Sequence, residues 1–293
     1  MLAHCGAAAL APVFKRGQGC GSVSNSTESG KEKKAGDSMA NKGDYIAVFD
    51  SGVGGISVLR RLKAIMPHER YLYYGDSANA PYGTRLVAQV QQFALNVAEK
   101  LRAEGIKALV VACNTATAAA IGVLRGTYPD MIIVGIEPAV KLAADLYPGS
   151  TVGVLATPVT LHEEKFITLA ERYARVCNII PLPAPGLADL VEEGKGNSEE
   201  ARALLRPLLA PWAGKLDALV LGCTHYPFAR QTIQSLVGAE TVMLDGGEGT
   251  ARETRRQLEK AGLLHEGPGE IVIRSSSSDS RMLQRCWDLL NQK

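Results

Sequence analysis

The chain has 293 residues, 46% of them apolar and 21% charged, ordinary values for a globular protein of one large or two medium domains. Its formal charge of +2 resides in residues 1–44, where six basic residues meet four acids, while residues 45–293 carry 26 of each sign. A neutral body argues against nucleic acid or an anionic membrane as an obligatory partner, and no apolar run approaches the about 20 residues that span a bilayer.

Residues 1–44 are rich in Gly, Ser, Ala and Lys and show no periodicity, so a disordered N-terminal extension is expected there. Met39 sits just before the ordered pattern, as an alternative start. The N-terminus lacks the basic n-region of an export signal. The cysteines Cys5, Cys20, Cys113, Cys177, Cys223 and Cys286 show neither a CxxC pair nor metal-ligand spacing. Free thiols in a reducing cytoplasm are therefore expected.

From Tyr45 onward strands and helices alternate. Strands are read at 46–49, 71–74, 108–112 and 132–136, with helices at 56–66, 85–104, after Ala112 to about Tyr128, and up to Tyr147. A second round follows. Its strands lie at 151–156, 178–181, 217–221, 241–244 and 271–274, its helices at 161–175, 187–194, 198–213, 227–237, 248–261 and 279–290. Alternating βα units predict mostly parallel sheets covered by helices on both faces, with ligands at the carboxyl ends of the strands. Two comparable rounds predict an α/β fold of two pseudo-symmetric, doubly wound domains.

One stretch occurs twice. Ala108 to Thr115 (ALVVACNT) is echoed by Ala218 to His225 (ALVLGCTH), and Cys223 follows Cys113 by 110 positions. Each copy reads as a buried parallel strand that delivers a thiol where a helix begins. A single such cysteine is ordinarily a small core residue. Two at matching strand ends, followed by Asn114-Thr115 and Thr224-His225, point to a site worked from two sides. A helix N-terminus is expected to draw each thiol down from its ordinary pKa of about 8.5. Asn114, Thr115 and Thr224 can cap a helix or hold a carboxylate, and His225 can exchange a proton with Cys223.

Two further loops fall at the same edge. Asp50-Ser51-Gly52-Val53-Gly54-Gly55 follows the first strand. It lacks the Lys-Ser/Thr of a phosphate loop, and Ser57 breaks the dinucleotide pattern. Its glycines let backbone N–H groups approach a small anion. The second loop, Tyr74 to Gly83, includes Tyr82 and Gly83. His162-Glu163 begins like a zinc helix motif, but Phe166 stands where the second histidine belongs, so no metal is expected. Glu192 reads either as an exposed helix acid or as a site acid.

FDSGVGG (49–55), YYGDSANAPYG (73–83), ACNTAT (112–117), the acid at Glu192, GCTHYP (222–227) and LDGGEGTAR (244–252) together resemble the glutamate racemases of the aspartate/glutamate racemase superfamily. The resemblance spans residues 45 to about 260, and it departs from the usual pattern at Gly246, Ala184-Pro185 and Asp189. It implies interconversion of L- and D-glutamate without pyridoxal phosphate, metal or other cofactor, supplying D-glutamate for peptidoglycan. Cys113 would be the base for D-glutamate and Cys223 for L-glutamate, with Asp50 and His225 assisting. Asp50, Ser51, Tyr82, Gly83, Asn114, Thr115, Thr224 and His225 would hold the substrate. The implied domains are 45–138 with 247–293, and 139–246, with the active site between them. A homodimer in the cytoplasm is the implied assembly.

Three alternatives accompany this reading. One is a racemase of the same superfamily acting on aspartate or another amino acid, against which His225 speaks, since an acid is expected there. Another is a redox dithiol protein, against which the absence of CxxC speaks. The third is a side role in binding DNA gyrase, for which the neutral body offers no basic face.

Overall fold

The computed structural model describes residues 40–136 and 139–292. Nearly all of the extension, with Cys5, Cys20 and Met39, lies outside the described residues. The first round runs β1 (Ile46–Asp50), α1 (Ile56–Ile65), β2 (Arg70–Gly75), α2 (Val87–Ala103), β3 (Ala108–Val111), α3 (Asn114–Thr127) and β4 (Ile132–Gly135). Next come α4 (Val140–Leu146), β5 (Thr151–Ala156), α5 (Pro158–His162), α6 (Glu164–Tyr173), β6 (Asn178–Pro183), α7 (Leu187–Glu192) and α8 (Glu199–Leu209). The chain closes with β7 (Ala218–Leu221), α9 (Arg230–Val237), β8 (Val242–Asp245), α10 (Gly247–Lys260), β9 (Glu270–Ser275) and α11 (Ser280–Asn291).

Two wholly parallel sheets result, in the orders β4-β3-β1-β2-β9 and β6-β5-β7-β8. This is the α/β architecture that the alternation predicts. The inner strands β1, β3 and β7 are buried along their whole length, as a parallel strand covered on both faces must be. The edge strand β6 is largely open to solvent and carries Pro181 and Pro183, which cannot donate to a further strand. The last strand, β9, pairs with β2 in the first sheet. From there α11 packs back on α1, where Arg60 Nη1 donates to Leu289 O at 3.4 Å. No helix among the described residues is long and apolar enough to cross a membrane.

Three helices differ from their sequence reading, each for a local reason. The helix expected at 161–175 is two, because Thr157 caps a new start with its Oγ1 accepting from Thr160 N at 3.3 Å, and Pro158 follows at N1. The chain then turns through an extended Glu163 before α6. The helix expected at 198–213 stops at Leu209, two residues beyond Pro207, and a 3₁₀ turn holding Pro211 takes over. The helix expected from Pro227 starts at Arg230, because a 3₁₀ turn occupies Tyr226–Ala229.

At the amino ends of the first sheet's strands, Lys107 and Glu69 form an ion pair of 2.6 Å that is essentially sealed from water. Lys107 Nζ also donates to Lys42 O and Leu263 O, and Glu69 Oε1 accepts from His265 N. Each charge is thus hydrogen-bonded as well as paired, the condition under which burial is tolerated. Replacing Glu69 by alanine strands a buried ammonium and is expected to cost about 3–5 kcal/mol, read as a lower denaturation midpoint. Activity per folded molecule should be unchanged, since the pair lies at the opposite end of the strands from the cysteines.

Candidate active site

The two cysteines leave their sheets in the same way. Ala112 N donates to Phe49 O at 2.8 Å, and Gly222 N donates to Leu155 O at 2.7 Å. Each thiol therefore follows one residue after the last tie to the neighbouring strand, β1 in one sheet and β5 in the other. Both are buried, Cys113 with 5% and Cys223 with 8% of its surface exposed.

Beyond that point the copies differ. Cys113 caps α3, its Sγ accepting from Ala116 N at 3.4 Å, and Ser51 Oγ lies 3.6 Å from it. The dipole was expected to lower this thiol's pKa, but burial outweighs it. Desolvation first, and then the field of Asp50, push Cys113 up to about 12, against the smaller pull of Ala116 N–H and Ser51. Cys223 opens a 3₁₀ turn instead of a long helix, and its Sγ lies 3.6 Å from His225 Nδ1.

His225 in turn meets Glu192, at 2.7 Å between Nε2 and Oε1. The same oxygen of Glu192 accepts from Val53 N at 2.8 Å. The backbone amide of the glycine loop therefore does meet an anion, and that anion is a side chain from the other half of the molecule. Burial pulls the His225 imidazole down, but its hydrogen bonds and charge contacts with Cys223 and Glu192 prevail and hold its pKa well above the ordinary value. For Glu192 burial raises the pKa, and the His225 hydrogen bond and charge reverse this to a net lowering. Glu192 stood open in the sequence reading between surface and site; the geometry brings it to Cys223 through His225.

Asp50 is fully buried at the tip of β1. Its carboxylate accepts from Gly52 N at 2.9 Å and from Thr224 Oγ1 at 3.0 Å. Burial raises its pKa, while the charge of His225 opposes the rise. Ser57 Oγ donates to Thr224 O at 2.9 Å, a further tie from α1 to the second sheet. The glycines permit this approach. A Cβ on Gly52 would strike the Glu192 carboxylate, and one on Gly54 would lie 2.6 Å from Thr224 Oγ1 and against the His225 ring.

Asn114 Oδ1 is buried without a hydrogen-bond partner among the described residues, an unspent acceptor one residue from Cys113. Thr115 Oγ1 lies 3.4 Å from both Thr157 Oγ1 and Thr160 Oγ1, joining α3 to α5. The Tyr82 side chain is differently placed: its ring packs on Phe49 and Phe93, and its hydroxyl donates to Asp76 Oδ2 at 2.7 Å. That side chain is thus held between β1, α2 and its own loop. Gly83 abuts Thr157 so closely that a Cβ would sit 3.1 Å from the threonine.

Two buried thiols at the carboxyl ends of two parallel sheets, one beside a histidine held by a carboxylate, make a site suited to proton transfer. The model of the Asp/Glu/hydantoin racemase family matches residues 56–254, and the chain belongs to that family. It is 43% identical over 251 residues to a glutamate racemase of Clostridium perfringens, covering 85% of this chain and 96% of the relative. Its fold matches a glutamate racemase of Thermus thermophilus solved with β-chloro-D-alanine, at TM-score 0.72 and 35% identity over 86% of this chain and 94% of that one. It also matches one of Francisella tularensis solved with D-glutamate, at TM-score 0.76 and 25% identity over 86% and 95%. Within the family the chain falls among the glutamate racemases, isomerases that interconvert the two enantiomers of glutamate.

The shifts of His225 and Glu192 set a pH window. An unfolded histidine titrates near 6.5, and the folded His225 lies above it, so its contribution is complete below 6.5 and is lost as pH rises through the folded value. Glu192 lies below its ordinary 4.5, so its contribution is complete above 4.5 and is lost as pH falls through the folded value. The stability difference between the wild type and Glu192→Gln should therefore be largest between about pH 4.5 and 6.5 and shrink towards alkaline pH. Denaturant titrations across that range measure it, and a difference flat with pH would contradict the pairing.

Proposed function

We propose that the chain racemises glutamate by a two-thiol mechanism, without a cofactor, and supplies D-glutamate for peptidoglycan in the cytoplasm. The observation that carries this reading is the matched exit of Cys113 and Cys223 from their sheets together with their unmatched partners. Inverting a carbon requires a proton to leave one face and another to arrive on the opposite face. Cys223 as thiolate takes the Cα proton of L-glutamate, and the C–H electron pair stays on Cα as a carbanion. The Cys113 thiol delivers its proton to the other face, giving D-glutamate, a Cys223 thiol and a Cys113 thiolate. The reverse reaction, from D-glutamate, starts in that second state. His225, held by Glu192, exchanges the proton of Cys223, and the Asp50 carboxyl serves the side of Cys113.

The carbanion has no cofactor into which to delocalise, so stabilisation falls to donors at the α-carboxylate in a dry pocket. The hydroxyls of Ser51, Thr115 and Thr224 and the main chain of Tyr82 and Gly83 are the groups available. Asn114 Oδ1, buried and unpartnered, suits the α-ammonium, which has protons to donate. The buried thiols Cys113, Cys177, Cys223 and Cys286 are all free, in keeping with a reducing compartment. A homodimer is the assembly we adopt for this reading, measurable by light scattering.

Incubated in D2O, either enantiomer of glutamate should lose its optical signal and acquire deuterium at Cα, while aspartate should acquire none. Cys113→Ser and Cys223→Ser should each lower kcat by about 10²-fold or more, as removal of a positioned acid or base does, with circular dichroism of the fold unchanged. Inversion without deuterium uptake, or either serine variant racemising at the wild-type rate, would refute the mechanism. Deuterium in aspartate would move the substrate to the alternative reading.

A further inference from the structure

The turn that follows Glu192 is gripped from outside by the last helix. α11 is anchored on the first sheet, through β9 and through its packing on α1. From it Arg285 reaches across to the turn after α7, where its Nη2 donates to Glu193 O at 3.3 Å. The next residue, Gly194, has φ of +80°, and a Cβ there would fall on the Arg285 guanidinium. The turn is closed by Gly194 N donating to Val191 O at 2.9 Å and Lys195 N to Leu190 O at 2.6 Å. The guanidinium therefore lies against a turn whose glycine leaves room for it, beside the residue whose carboxylate holds His225. Arg285 also adds to the lowering of the Glu192 pKa, behind the stronger influence of His225.

We propose that Arg285 is a positioning residue for racemisation, clamping the turn after α7 so that Glu192 stays seated between His225 and Val53. Arg285 hydrogen-bonds the main chain of Glu193, and in this proposal it acts through Glu192. The proposal rests on the reading above, in which His225 and Glu192 form the proton-exchanging arm of Cys223. A loose Glu192 slows the step at Cys223 and leaves the step at Cys113 alone. The two enantiomers have equal free energy, so kcat/KM must fall equally in both directions. The imbalance shows instead in the substrate isotope effects. Slower proton removal by Cys223 raises the effect seen with L-[2-²H]glutamate and lowers that seen with D-[2-²H]glutamate.

The test compares Arg285→Gln, Arg285→Lys and Gly194→Ala with the wild type in the full-length protein, with His225→Asn as reference. Arg285→Gln should lower kcat about 3- to 30-fold, the range of residues that act through another, with KM changed less than about twofold and the isotope effects unbalanced as stated. Gly194→Ala, which displaces the guanidinium, should reproduce this. Arg285→Lys, which keeps the charge and one donor, should recover most of kcat. A purely structural role would lower the amount of folded enzyme and leave the isotope balance as in the wild type. If His225→Asn unbalances the isotope effects and neither Arg285→Gln nor Gly194→Ala does, the proposal is overturned and the reading of the arm stands. If His225→Asn leaves them balanced as well, both fall.

Discussion

One oxygen of Glu192 joins the two halves of this molecule. It accepts from Val53 N on the glycine loop of the first sheet and meets His225 Nε2 on the 3₁₀ turn of the second. With 19% of its side chain exposed, the Glu192 carboxylate offsets part of its lost hydration through these two partners at Oε1, while Oε2 has none among the described residues. The glycines at 52 and 54 are what let the loop come close enough to supply one of them. The hydrogen bonds from Thr224 to Asp50 and from Ser57 to Thr224 O stitch the same seam. These contacts tie the loop after β1 to the turn that follows Cys223, and the proposed two-thiol chemistry rests on that seam.

The seam is symmetric in backbone and asymmetric in charge. The main chain repeats its exit at Ala112 and Gly222, as two similar halves would. Around Cys113, burial and the Asp50 carboxylate favour the protonated thiol. Around Cys223, hydrogen bonds to the thiol and to Glu192 favour the protonated form of His225. A pair of bases that began in the same protonation state could not invert a carbon in one pass. The surroundings of the two thiols are unequal, a carboxylate acting on Cys113 and an imidazole beside Cys223, and in the proposed mechanism that inequality would tell donor from acceptor.

Much of this was legible in the sequence. The alternation of apolar runs and helical periodicity marked every strand, most clearly β1, β3 and β7, because parallel strands buried on both faces read as continuous apolar runs. The repeat ALV-x-x-Cys located both thiols, because a strand end fixes where a side chain must stand. What escaped were features set by contacts between distant segments. The Cys113 pKa depends on how completely α3 and the loop at Ser51 seal the thiol, and no local pattern encodes that. The hydrogen bond from the Tyr82 hydroxyl to Asp76, six residues earlier, was not legible either. Glu192 stood open between exposed helix acid and site acid, because its partner, at position 225, is set by a contact between distant segments. The broken helices at Thr157 and Pro207 carried local signals, a cap followed by proline and an internal proline, and these outweighed the apolar periodicity.

The central claim is geometric: one thiol stands on each face of the carbon being inverted. A crystal structure of the enzyme with D-glutamate bound tests it most directly. The account predicts Cα between the two sulfurs, each about 3–3.5 Å away on opposite faces. Both sulfurs on one face, or sulfurs more than about 12 Å apart around a bound substrate, would contradict it.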